Sequence, residues 1–102
     1  MANETYSRWS APIAPGALSA TVRLPGSKSL TNRELVLAAL ATEPTTFAGA
    51  LVSRDSSLMI GALRSLGSTI TNAESTSPTV SPATLQAETT IDCGLAGTVM
   101  RF

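Results

Sequence analysis

Between Leu18 and Leu24 the chain alternates, apolar at Leu18, Ala20, Val22 and Leu24 and polar at Ser19, Thr21 and Arg23. A period of two predicts a half-buried strand, one face on a core and one in water. Pro25-Gly26 ends it. The apolar period then lengthens. Leu30, Leu35, Val36, Leu37, Ala38, Ala39 and Leu40 predict a helix running to about Thr42, capped by Ser27 or Ser29. Its second half is apolar nearly all round, which predicts burial on more than one side. Thr45 to Leu51, introduced by Pro44, reads as a second strand. Ser53 precedes Asp55, an N-cap with an acid in the first turn, where the helix dipole favours negative charge. Leu58, Met59, Ala62, Leu63 and Leu66 follow at helical spacing, and Gly67 makes a good stop.

Ser68 to Thr71 predicts a third strand. Residues 72–88, rich in Ser, Thr, Ala and Pro, predict a loop with one poor strand near Thr79-Val80. Thr89 to Cys93 predicts a last strand, and Gly94 to Thr98 opens another helix. Residues 98–102 supply one turn of it, without a cap, so a longer parent chain is expected. Residues 1–17 show no sustained period and form a lead-in, with Tyr6 and Trp9 expected as packing groups. The predicted order, strand-helix-strand-helix-strand with a further strand, is an α/β (α+β) arrangement.

Composition narrows the possibilities. At 102 residues the chain holds one domain at most, and a domain of this size buries only about two-thirds of its unfolded surface. Seven basic residues balance seven acidic ones. That argues against non-specific binding to nucleic acid or an anionic membrane, which needs a basic excess. Charged residues make up 14%, against about 25% in an ordinary soluble domain, so part of the surface is expected to be covered. With one cysteine there is no internal disulfide, and with no histidine there is no His/Cys zinc site and no Ser-His-Asp or Cys-His catalysis. No apolar run approaches the roughly 20 residues of a membrane span. The polar, acidic N-terminus is unlike a secretory signal peptide, so a reduced, cytoplasmic setting is expected.

Three stretches carry candidate chemistry. In the first, residues 24–33, a strand runs through a glycine-bearing turn into a helix whose first N–H groups lack intrahelical acceptors. Lys28, Ser29 and Arg33 bring an ammonium, a hydroxyl and a guanidinium to that helix start, and Lys28 is the chain's only lysine. Together they suit an anionic ligand, although a capped helix with solvated basic residues explains them equally well. The stretch is not a Walker A loop, since the second glycine and the Gly-Lys-Ser/Thr order are missing. In the second, residues 92–101, Gly97 permits close approach of a ligand to the backbone, and Thr98 serves as cap or donor; an ordinary capped turn is the simpler reading. In the third, Leu51-Val52-Ser53-Arg54-Asp55, Arg54 and Asp55 could contact a ligand or partner, but a capping Ser/Asp with a solvated arginine explains them without function. Cys93, at the end of an apolar segment, reads as a small buried residue rather than a nucleophile.

Leu24-Pro25-Gly26-Ser27-Lys28-Ser29-Leu30-Thr31-Asn32-Arg33, followed by Leu-Val-Leu-Ala-Ala-Leu (35–40), closely resembles the N-terminal signature of the 5-enolpyruvylshikimate-3-phosphate synthase family. Arg54-Asp55 with its leucine-rich sequel, and Ala96-Gly97-Thr98-Val99-Met100-Arg101, resemble two further stretches of that family in order and spacing. The Cys-Gly-Leu-Ala-Gly-Thr form is similar to actinobacterial members. The resemblance implies an inside-out α/β barrel built of βαβαββ units, here incomplete. On that plan residues 1–17 belong to the other domain, 18–88 form the first unit, and 89–102 begin the second.

The family moves the enolpyruvyl group of phosphoenolpyruvate to the 5-hydroxyl of shikimate 3-phosphate through a tetrahedral adduct, releasing phosphate. It is the glyphosate target of aromatic amino-acid biosynthesis. The resemblance implies no cofactor or metal, no nucleic-acid or membrane partner, and a usually monomeric full-length enzyme. It places Lys28 on both substrates, Ser29 and Arg33 on shikimate 3-phosphate, and Gly97 at phosphoenolpyruvate, with Thr98 supporting. Arg101 is expected to hold its helix, and the acid/base carboxylates to lie beyond residue 102. The isolated chain is therefore expected to be inactive. One departure stands out: Leu95 occupies a position where the family usually has Asn. The related transferase acting on UDP-N-acetylglucosamine fits less well, because it carries Asn where this chain has Ser29. The alternative function is a stand-alone anion-binding module without catalysis, and a third reading is a nonfunctional truncated product.

Overall fold

A computed structural model describes residues 6–86 and 88–102. Helix α1 spans Lys28–Leu40, and the Ser27 side chain caps it by accepting from the Leu30 N–H. A short strand β1, Thr45–Thr46, follows. Helix α2 spans Arg54–Leu66. Its start is a capping box, with the Ser53 and Ser56 side chains each bonded to the other residue's backbone N–H. Its end is Gly67 in the left-handed region, φ 118°, where a side chain would be strained. Strands β2, Thr69–Thr71, and β3, Thr79–Ser81, complete a three-stranded antiparallel sheet in the order β1-β3-β2. Helix α3 covers Gly97–Arg101.

The core lies between the two long helices and the sheet. Leu35 and Val80 are fully buried, and Met59, Leu63 and Ile70 nearly so. Ala96 and Val99 bring α3 against the same cluster. Small residues on facing sides, Ala38 and Ala39 of α1 and Ala62 of α2, let the helices approach closely. On α2 the buried positions Met59, Ile60, Ala62 and Leu63 recur at helical spacing, as predicted.

Several expectations need correction. Residues 18–24 form no strand: Leu18, Val22 and Leu24 are exposed, and no described segment pairs with them. A strand needs both a ladder partner and a face to bury, and neither is present there. Residues 89–93 likewise take no strand conformation. The second strand shrinks from Thr45–Leu51 to two residues, although backbone bonds from Phe47 to Pro78 and from Ala50 to Thr76, both 2.9 Å, hold the rest alongside. The weakest predicted strand, around Thr79-Val80, is the central one. It is confined between Pro78 and Pro82, yet both its neighbours bond to it. The apolar second half of α1 is buried on one side only, since Leu37 and Leu40 are exposed. Trp9 is also exposed rather than packed, the Tyr6 side chain is largely exposed, and residues 1–5 of the lead-in lie outside the described residues. Cys93 is half-buried against the core, close to its reading. Among the described residues no helix is long and apolar enough to cross a membrane.

The two faces of α1 give a direct check. Leu35→Ala is expected to cost about 2–5 kcal/mol through lost burial and a residual cavity. Leu37→Ala, on the exposed face, is expected to stay within about 0.5 kcal/mol. Urea unfolding of the two variants measures the contrast.

Candidate functional site

The N-terminal ends of the three helices converge, tied by three side-chain contacts. The first joins α1 to α2. The Lys28 ammonium lies 3.1 Å from an Asp55 carboxylate oxygen; the lysine side chain is about half exposed, the aspartate only 16%. The second joins α2 to the turn before α3, where the Arg54 guanidinium donates to the Gly94 carbonyl. The third joins α1 to α3. Asn32 Nδ2 donates to Thr98 Oγ1 at 2.7 Å across 66 residues of sequence.

Local sequence explains how each group arrives. Gly26 brings the chain into α1 with its backbone against the 49–51 segment: a Cβ there would lie 2.3 Å from the Gly49 carbonyl oxygen. Thr31 reinforces that approach by accepting from the Leu51 N–H at 3.1 Å. Asn32 lies four positions after Lys28, so both lie on one face of α1. Before α3 the Asp92 carboxylate accepts from the Gly94 N–H at 2.8 Å, forming an Asx turn. Gly94 and Leu95 then both take positive φ, 52° and 66°. That conformation suits Asn better than Leu. Leu95 is fully exposed.

Gly97 is the first residue of α3 and is exposed; a Cβ added there would meet nothing within 4 Å. Thr98 lies inside the helix rather than capping it. The N-cap is Ala96, which offers no side-chain bond, and the Thr98 hydroxyl is engaged by Asn32 instead. Ser29 is exposed on the first turn of α1. Arg33, also exposed, extends over the Phe102 ring, 5.4 Å from its centroid. Lys28 and Arg33 thus reach toward different neighbours, the start of α2 and the residue after α3. Arg101 is exposed in the last turn of α3.

Asn32 carries the least expected feature. It is fully buried, and its Oδ1 has no hydrogen-bond partner among the described residues. An orphaned buried acceptor costs about 1–3 kcal/mol.

A family model for EPSP synthase (3-phosphoshikimate 1-carboxyvinyltransferase) matches residues 13–102. The chain belongs to this family. It is 48% identical over 107 aligned positions to the 3-phosphoshikimate 1-carboxyvinyltransferase of Bifidobacterium longum (strain DJO10A). That alignment takes in 100% of this chain and 24% of the relative, so the chain spans about a quarter of the relative's length.

Membership of the EPSP synthase family places both glycine-bearing motifs inside the matched region. Within the sequence Lys28 and Gly97 stand out and Asn32 does not, while Arg54 and Asp55 are candidates that a solvated charge and a helix-start acid explain without function. The one available signal was the spacing of Asn32 from Lys28, which puts them on a common face only once the helix register is known. Gly26→Ala is expected to destabilise the fold by about 1–3 kcal/mol, because its new methyl group meets backbone that cannot rotate away. Thermal unfolding of the variant checks it.

Proposed function

We propose that this chain forms one wall of an active site that transfers the enolpyruvyl group of phosphoenolpyruvate to the 5-hydroxyl of shikimate 3-phosphate, with release of phosphate. Family membership supports the reaction class, and the half-exposed Lys28 ammonium among converging helix starts is the observation that carries the site. Both substrates are anions. The unpaired first-turn N–H groups of α1 and α2, aligned with their dipoles, favour negative charge where the helices begin. Lys28 adds a full charge there. Its partner Asp55 is only 16% exposed, but the lysine side chain is about half exposed, so a multiply charged ligand can compete for the ammonium from the solvent side.

On this reading Lys28 binds both substrates, and Ser29 and Arg33 bind shikimate 3-phosphate. Arg33 then leaves the Phe102 ring for the ligand. Gly97 lines the phosphoenolpyruvate site, where the open space above its Cα admits a ligand that a side chain would block. Thr98 supports that backbone. The same reading assigns residues 18–88 to a βαβαββ unit of an inside-out barrel, 89–102 to the start of the next, and 1–17 to the other domain. The segments at 18–24 and 89–93 then find their ladder partners in the rest of that barrel. It also makes the enzyme cytoplasmic and, as a full-length protein, monomeric. An open wall gives little electrostatic stabilisation, because water screens what a closed site concentrates.

The test is a graft. The Bifidobacterium longum relative, carrying residues 13–102 of this chain in place of its matching segment, is expected to release phosphate from the two substrates. Lys28→Met in the graft is expected to lower kcat/KM by about a hundredfold or more, the scale of losing one preorganised charge contact. Glu43→Gln, exposed beyond the end of α1, is expected to leave the rate unchanged. The 102-residue chain by itself is expected to release none. Full activity of the Lys28→Met graft removes the proposal.

A further inference from the structure

We infer that Asn32 is a positioning residue: it sets where the Gly97 backbone stands relative to the Lys28 end of α1. The inference rests on the reading of Gly97 as lining the phosphoenolpyruvate site. Helix α3 is five residues long, and its N-cap, Ala96, offers no side-chain bond. Burial of Ala96 and Val99 fixes its depth against the core, but apolar packing has no direction and leaves its rotation loosely set. The bond from Asn32 Nδ2 to Thr98 Oγ1 supplies that direction, since a hydrogen bond constrains angle as well as distance.

Asn32 is suited to this because it is rigidly tied to Lys28. The two residues lie one turn apart on the same face of α1, about 6 Å along the axis. From Lys28 to Gly97 the path is therefore one helical turn, one hydrogen bond and one peptide unit. A side chain serving stability alone would be apolar here, with no orphaned atom. Asn32 instead keeps a buried Oδ1 unpartnered among the described residues. A polar group retained at such a cost makes sense where the geometry it imposes matters more than the stability it forfeits.

The grafted synthase distinguishes positioning from mere support. Asn32→Ala and Thr98→Val are each expected to raise KM for phosphoenolpyruvate about tenfold, a modest share of what an ångström of misplacement costs. KM for shikimate 3-phosphate is expected to stay within about twofold, because Lys28, Ser29 and Arg33 do not move. The double variant is expected to be no worse than either single one, as for two ends of one bond. Thr98→Ser, which keeps the hydroxyl, is expected to restore the parent value. If both KM values rise together, or if the two substitutions multiply, Asn32 is only structural and the inference fails. Should Asn32→Ala not fold, Thr98→Val and its serine rescue decide the matter by the same two constants. An unmodified graft without activity overturns the functional reading and this inference with it, whereas an active graft indifferent to Asn32 and Thr98 overturns the inference alone.

Discussion

The hydrogen bond from Asn32 to Thr98 turns two distant helix starts into one surface. Without it, α3 would be held to the core by Ala96 and Val99 and, through the Arg54 contact to Gly94, by a flexible arginine side chain. Bringing three helix N-termini together has an electrostatic cost, because each presents unpaired N–H groups and a positive dipole end. Asp55 offsets part of it. The carboxylate is only 16% exposed, sits in the first turn of α2 and reaches Lys28 from there. The remaining positive character is what an anionic substrate would satisfy.

The helices were legible in the sequence because their signals are local. Ser53, Asp55, the apolar spacing from Leu58 to Leu66 and Gly67 are all visible within one short window, and α2 follows them closely. Strands depend on partners far along the chain. The alternation from Leu18 to Leu24 is a true period-two pattern, yet with no ladder partner among the described residues it forms no strand and stays exposed. Thr79 to Ser81 has little pattern of its own and becomes the middle of the sheet because strands on both sides bond to it.

The candidate site divides in the same way. Lys28, Ser29, Arg33 and Gly97 stand out by residue type and by the motifs around them. The contacts that bring the helix starts together do not, since they run from Asn32 to Thr98 and from Asp55 to Lys28, across helices. A buried asparagine inside a basic motif looks like a bystander until the register of α1 places it below Lys28 and the fold places Thr98 within 2.7 Å. The exposed apolar side chains of Leu30, Leu37 and Leu40 fit a chain that spans about a quarter of its relative's length. They also fit the low charge content, which by itself had pointed to a surface normally covered.

The central claim is that the meeting point of the three helix starts receives a substrate anion. A crystal structure of the grafted synthase with shikimate 3-phosphate bound tests it most directly. The Lys28 ammonium is expected to have left Asp55 for the ligand, with the Asn32–Thr98 bond intact beside it. A ligand bound elsewhere, with Lys28 still paired to Asp55, would contradict it.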